Sequence, residues 1–98
     1  MLTHIVLITA SADATDEQVE AMVAGLRGLP DRIEEIRGYE VGRDLGLAEG
    51  NATVTIQATF ASPDDLQAYV VHPAHQEVVT ELIRPVASSV ARAQVATV

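Results

Sequence analysis

The chain reads as an α+β domain with the ferredoxin-like order β-α-β-β-α-β, in which a four-stranded antiparallel sheet carries its helices on one face. Three observations predict this. Two helix-start signals, at Thr15 and at Ser62-Pro63, each follow a run rich in β-branched residues; residues 52–60 alternate cleanly between apolar and polar; and a further weakly alternating run lies between the first helix and that strand.

Residues 2–9, Leu-Thr-His-Ile-Val-Leu-Ile-Thr, form the first strand and end in a Ser-Ala-Asp-Ala turn. Alternation puts Leu2, His4, Val6 and Ile8 on one face. Thr15-Asp16-Glu17-Gln18 has the form of a capping box, with two acids at the positive end of the helix that follows. Val19, Met22, Val23 and Leu26 recur at i, i+3, i+4 and i+7, so residues 16–27 bury one stripe; Gly28 and Pro30 supply the stop.

Residues 30–35 read as a polar connector and 36–43 as an edge or exposed strand containing two glycines. Residues 44–51 hold Gly46, Gly50 and Asn51 without periodicity and read as a loop, of the kind that often borders a site. Residues 52–60 place Val54, Ile56, Ala58 and Phe60 on one face and Thr53, Thr55, Gln57 and Thr59 on the other. Ser62-Pro63-Asp64-Asp65 starts a short helix running toward Val71. A second segment starts at Pro73, with Val78, Val79, Leu82, Ile83 and Val86 on its apolar side, and Pro85 kinks or ends it. Residues 90–98 read as the last strand, with a frayed helix as the alternative for its first half.

Length and composition bound the function. The 98 residues make one domain, 1–98, and 48% apolar content suffices for a core built from Val, Ile, Leu and Ala, since only 3% is aromatic. A net charge of −8 repels phosphate backbones and anionic lipid, so neither nucleic acid nor a membrane is an expected partner. No cysteine means no disulfide, thiolate nucleophile or sulfur-ligated metal. No apolar run approaches a membrane span and no signal peptide precedes the first strand, so the expectation is a soluble, cytoplasmic protein.

Chemistry concentrates in Tyr69-Val70-Val71-His72-Pro73-Ala74-His75, which holds two of the three histidines and one of the two tyrosines. Pro73 suits the first position of a helix, making His72 its N-cap and placing His75 in its first turn. The positive helix end disfavours an imidazolium and keeps a first-turn histidine neutral, competent as a general base. Tyr69, about one turn earlier, could bring a phenol to the same bound molecule. The structural alternative is that the histidines only bond backbone and the tyrosine is core. His4 matters if its strand face looks toward Tyr69 and His75. A sheet covered on one face also leaves Ile5, Leu7 and the threonine-rich face of 52–60 for a second subunit.

Over nearly its whole length the sequence resembles the stress-responsive dimeric α/β-barrel (Dabb) family. The resemblance is carried by His4-Ile5-Val6-Leu7, Leu29-Pro30, Ile36-Arg37-Gly38-Tyr39-Glu40-Val41-Gly42, Thr59-Phe60 and the His-Pro-Ala-His element that ends at His75. It implies a homodimer whose two sheets pack into one barrel. Family members include stress-accumulated proteins, polyketide cyclases working by intramolecular aldol condensation, and lyases acting on cyanohydrins. The cyclases' tyrosine, second histidine and first-strand histidine map onto Tyr69, His75 and His4. By that likeness His75 would remove a proton α to a carbonyl, Tyr69 would donate to the enolate oxygen, and His4 would orient the substrate. Three family features differ here: the third-strand histidine is Val54, the first-strand lysine is replaced by Thr9-Ala10, and the Asp-Tyr pair near the end by Gln94-Val95.

Two readings follow. One is a cofactor-independent cyclase-like or lyase-like enzyme, its catalytic residues His75, Tyr69 and His4, its apolar or aromatic ligand held by His72, Val54, Val6, Met22, Leu26 and Leu82. The other is a non-catalytic stress-response or small-molecule-binding dimer. A weaker third, a metal on His72, His75 and Glu77, lacks the i, i+4 spacing usual for zinc on a helix, and no metal is expected.

Overall fold

A computed structural model describes residues 1–97. The elements are β1 (Leu2–Ala10), α1 (Asp16–Arg27), a 3-10 turn (Leu29–Asp31), β2 (Gly38–Arg43), β3 (Val54–Phe60), α2 (Pro63–Val71), α3 (Pro73–Val78), a π-helical turn (Val79–Ile83) and β4 (Ala87–Ala96). The strands form one antiparallel sheet in the order β2-β3-β1-β4, the ferredoxin-like arrangement, with helices on one face.

Local chemistry sets each boundary. Thr15 Oγ1 accepts from Gln18 N at 3.1 Å while Gln18 Oε1 accepts from Thr15 N at 2.9 Å, closing the capping box on α1. Ser62 Oγ accepts from Asp65 N at 3.2 Å and Pro63 fills the first helical position of α2. Val19, Met22, Val23 and Leu26 of α1 are buried together with Val6, Ile8, Val54, Ile56, Ala58 and Phe60 of the sheet. This is the apolar stripe meeting the apolar strand faces.

Several expectations are corrected. The connector 30–35 is not wholly polar: Ile33 is buried and Leu29, just before it, is fully so, anchoring the 3-10 turn under α1. β2 begins at Gly38 rather than at residue 36, although Arg37 N still donates to Thr59 O at 2.9 Å. The segment after Pro73 changes from α to π geometry at Val79, with Arg84 N donating to Val79 O at 2.9 Å, before Pro85. A π turn accommodates one extra residue in the helical ladder and commonly lies at functional sites. β4 starts at Ala87, so the strand reading holds and the frayed helix does not. Residue 98, the end of the expected last strand, lies outside the described residues.

The second face of the sheet carries Thr3, Ile5 and Leu7 of β1, Thr55, Gln57 and Thr59 of β3, and Ala91, Ala93 and Val95 of β4, paired across the strands in that register. Leu7 and Val95 are 42% and 47% exposed. Among the described residues no helix is long and apolar enough to cross a membrane.

Candidate active site

The site is organised by one row across the sheet. The register aligns Tyr39 of β2, Ala58 of β3, His4 of β1 and Gln94 of β4 on the helix-covered face. Ala58, the smallest of the four, sits between Tyr39 and His4, and the ring of Tyr69 comes down from α2 above that gap. Its centroid is 6.1 Å from Tyr39, 6.3 Å from His4 and 5.1 Å from Phe60. Tyr69 is 1% exposed. A phenol buried so deeply needs a partner for its hydroxyl, and the Tyr39 hydroxyl supplies it at 2.8 Å.

The third ring is placed by the break between α2 and α3. Proline disfavours helical geometry in the residue before it, and His72 is extended, at φ −61° and ψ 135°. Its Nδ1 accepts from Ala74 N at 3.0 Å, so His72 caps α3. The break frees the Val70 carbonyl, one of the last-turn acceptors of α2 that has no helical donor. His75 Nδ1 donates to it at 3.0 Å and Gln76 Nε2 donates at 2.7 Å. Because a carbonyl can only accept, this bond puts the proton of a neutral His75 on Nδ1 and leaves Nε2 as an open acceptor. The His75 ring lies 4.3 Å from Tyr69, centroid to centroid.

Burial tunes these groups. It holds His75 below its ordinary value, reinforced by the charge of His72 and opposed by the Val70 hydrogen bond. His4 is likewise lowered, first by burial and then by the positive charges of His75 and Arg92. Both phenols are pushed upward by burial. Burial is the leading cause in both, and the two hydroxyls are coupled through their shared hydrogen bond. Gln94 Nε2 donates to His4 Nδ1 at 2.8 Å, which fixes the remaining proton of a neutral His4 on Nε2.

A cavity of about 810 Å³ opens between the sheet and α2, α3 and the π turn. His4, Val6, Tyr69 and His75 line it, with Ile8, Leu66, Val79, Ile83 and Val90 as apolar walls and Gln94, Arg84 and Arg92 as polar ones. Of the residues expected to hold a ligand, Val6 is in the lining. Val54, Met22 and Leu26 are instead fully buried in the core beneath α1. Leu82 turns toward α1, where it fills the space above Gly25. His72 faces a separate depression with Pro30, Asp31, Arg32, Glu34 and Glu35. Among the described residues no group of three His, Cys, Asp or Glu is placed to hold a metal, so His72, His75 and Glu77 do not form the set considered above. The loop 44–51, held by Asp44 accepting from Gly46 N at 2.8 Å, supplies nothing to the cavity.

Tyr39, Gln94 and Arg92 were not expected in the site from sequence, although Tyr39 lies in a segment that carries the resemblance and Gln94 at a position where the chain departs from it. The available signal was that Tyr39 and Val41 alternate in β2, but the partner row of each residue depends on strand register.

The four-stranded antiparallel sheet with helices on one face places the chain among the ferredoxin-like α+β proteins. Residues 2–95 match the stress responsive A/B barrel domain, and the chain belongs to that family. It is 27% identical over 79 residues to the stress-response A/B barrel domain-containing protein HS1 of Arabidopsis thaliana, covering 79% of this chain and 72% of that one. A dimeric ferredoxin-like protein of unknown function from Thermobifida fusca superposes with a TM-score of 0.90 at 33% identity, covering 98% of this chain and 90% of that one. The hydroxynitrile lyase of Passiflora edulis shares the fold, with a TM-score of 0.82 at 20% identity over 96% of this chain and 90% of the lyase.

Proposed function

We propose that the protein is a homodimeric, cofactor-independent acid–base enzyme of the cyclase or lyase type, in which His75 removes a proton adjacent to a polar multiple bond. The observation that carries this reading is the Val70 carbonyl, which accepts a hydrogen bond from His75 Nδ1 at 3.0 Å and so leaves Nε2 as the unprotonated nitrogen of a ring that lines the cavity next to Tyr69. His75 Nε2 takes the proton α to a carbonyl, and Tyr69 donates to the oxygen where negative charge develops. Tyr39 donates to the Tyr69 oxygen and stabilises the charge that builds there. His4, held by Gln94, presents its Nε2 proton as a second donor that orients the substrate. The apolar walls exclude water and strengthen each of these bonds.

Assembly as a dimer is supported by dimeric relatives from Thermobifida fusca and Bacteroides fragilis, and by the exposed face built on Ile5, Leu7 and Val95. A second reading, a non-catalytic stress-response or ligand-binding dimer, has one observation in its favour: His72 and His75 also tie the helix break together through backbone bonds. Exchange of α-protons of β-diketones into deuterated water, followed by NMR, together with cyanide release from cyanohydrins, where the base takes the hydroxyl proton as the carbonyl forms, separates the two. Exchange that is lost in His75→Ala, with the fold intact by circular dichroism, supports the enzyme. No exchange by the wild type, with a lower melting temperature for His75→Ala, supports the binding protein.

A further inference from the structure

The cavity walls differ in charge from the rest of the molecule. The chain carries 14 acidic residues and 6 basic ones, yet the cavity lining contains no Asp or Glu and two arginines, Arg84 and Arg92. Of the other four arginines three are engaged, while Arg37, outside the cavity lining, has no side-chain partner among the described residues. Arg43 pairs with Glu20 at 2.8 Å and Asp16 at 3.2 Å, Arg32 approaches Glu77 at 3.8 Å, and Arg27 donates to the Val41 carbonyl at 2.8 Å. Neither Arg84 nor Arg92 has a carboxylate partner among the described residues. What sets Arg84 and Arg92 apart is therefore their place: both are solvent-exposed, and both border one concavity that no Asp or Glu lines, in a chain where acids outnumber bases by more than two to one.

Their placement is specific. Arg92 lies opposite Val6 and two residues before Gln94 on the exposed edge strand β4, on the same side of the sheet as His4, so it stands one step along the strand from the row that holds His4. It is close enough for its charge to oppose protonation of His4. Arg84 ends the π turn whose Val79 and Ile83 line the same cavity. The two arginines thus approach one opening from the sheet side and the helix side, with the His75 and Tyr69 pair further in.

We propose that the cavity binds a small organic carboxylate whose anionic end is held by Arg92, with Arg84 assisting, while its apolar body points toward His75 and Tyr69. This names the substrate class for the acid–base reading above and rests on it for the chemistry, though not for the binding. Guanidinium recognises a carboxylate through two parallel hydrogen bonds, which fixes orientation as well as affinity. The net charge of −8 does not prevent this, because at physiological salt exposed charges are screened beyond about 8 Å. That same charge keeps extended polyanions away.

The test is isothermal titration with 3-benzoylpropionate and its methyl ester, in which the charge is removed and one methyl group added. Wild type binds the acid about tenfold or more tightly than the ester, the discrimination expected of one charge-assisted pair, and the preference shrinks as salt is raised. Arg92→Gln removes the preference, Arg92→Lys keeps part of it, and Arg84→Gln reduces it. His75→Ala, measured in parallel, retains it, so loss of proton exchange with preserved acid selectivity leaves this inference standing whatever happens to the catalytic reading. Equal affinity for acid and ester in the wild type, no measurable binding of the acid, or undiminished preference in a folded Arg92→Gln protein overturns it.

Discussion

The hydroxyls of Tyr39 and Tyr69 lie 2.8 Å apart, joining the edge strand β2 to the last turn of α2 through the core. In that pair one oxygen donates and the other accepts, so replacing either phenol by phenylalanine leaves a buried hydroxyl short of a partner. On the acid–base reading, Tyr69→Phe slows proton exchange about 10²–10³-fold, the range for a lost donor to a developing oxyanion, and it destabilises by about 1–3 kcal/mol. Tyr39→Phe costs a similar amount of stability but much less activity. Urea denaturation and proton-exchange rates measured on both variants separate the two effects.

Ala58 sits between Tyr39 and His4 in the row beneath Tyr69 and is fully buried. Ala58→Leu fills the gap into which the Tyr69 ring descends. Overpacking of this kind costs about 1–3 kcal/mol. The variant melts lower and loses the 2.8 Å phenol contact, visible as a shifted tyrosine absorbance; a variant melting with wild type refutes the packing of this row.

The pH dependence follows from burial of two imidazoles. Burial holds His4 and His75 below the ordinary histidine value of about 6.5, so the unfolded chain binds protons that the folded chain refuses. Stability therefore rises with pH in this window, is complete above about 6.5, and falls as pH drops through the folded values. Thermal melts from pH 7.5 to 5 show the decline, and a His4→Gln, His75→Gln double variant flattens it. The acid limb of proton exchange lies below pH 6.5 for the same reason.

Gly25 lies inside α1, where a Cβ would overlap Leu82 Cδ1. Glycine within a helix costs roughly 0.5–1 kcal/mol relative to alanine. Gly25→Ala therefore gains backbone stability but must push aside the terminal methyl of Leu82, so its gain in the wild type is smaller than the backbone effect alone. In a Leu82→Ala background the same change is more stabilising. Additive effects in that double-mutant cycle contradict the contact.

The dimer proposed above rests on the exposed sheet face. Leu7→Glu, at the centre of the chain's middle strand, places a charge on that face and shifts sedimentation from dimer to monomer. An unchanged dimer would move the interface elsewhere.

Much of this was legible in the chain before its fold. Period-two alternation in 2–9 and 52–60, the capping box at Thr15 and the Ser62-Pro63 start give the element order, because each rests on chemistry within a few residues. His72-Pro73 likewise dictates the helix break, since proline acts on its immediate neighbour. The gathering of His4 with Tyr69 and His75 followed from the resemblance rather than from spacing. Locally encoded features stop there. That Val54, Met22 and Leu26 are core while Arg92 and Gln94 reach the cavity depends on strand register and on which helix covers which strand. Sequence thus determined the elements and their polarity through short-range hydrogen bonding and periodic burial. Tertiary structure decided the site, because antiparallel pairing sets residues 39, 58, 4 and 94 side by side, and the energy that selects that register is the burial of the whole face rather than of any one residue.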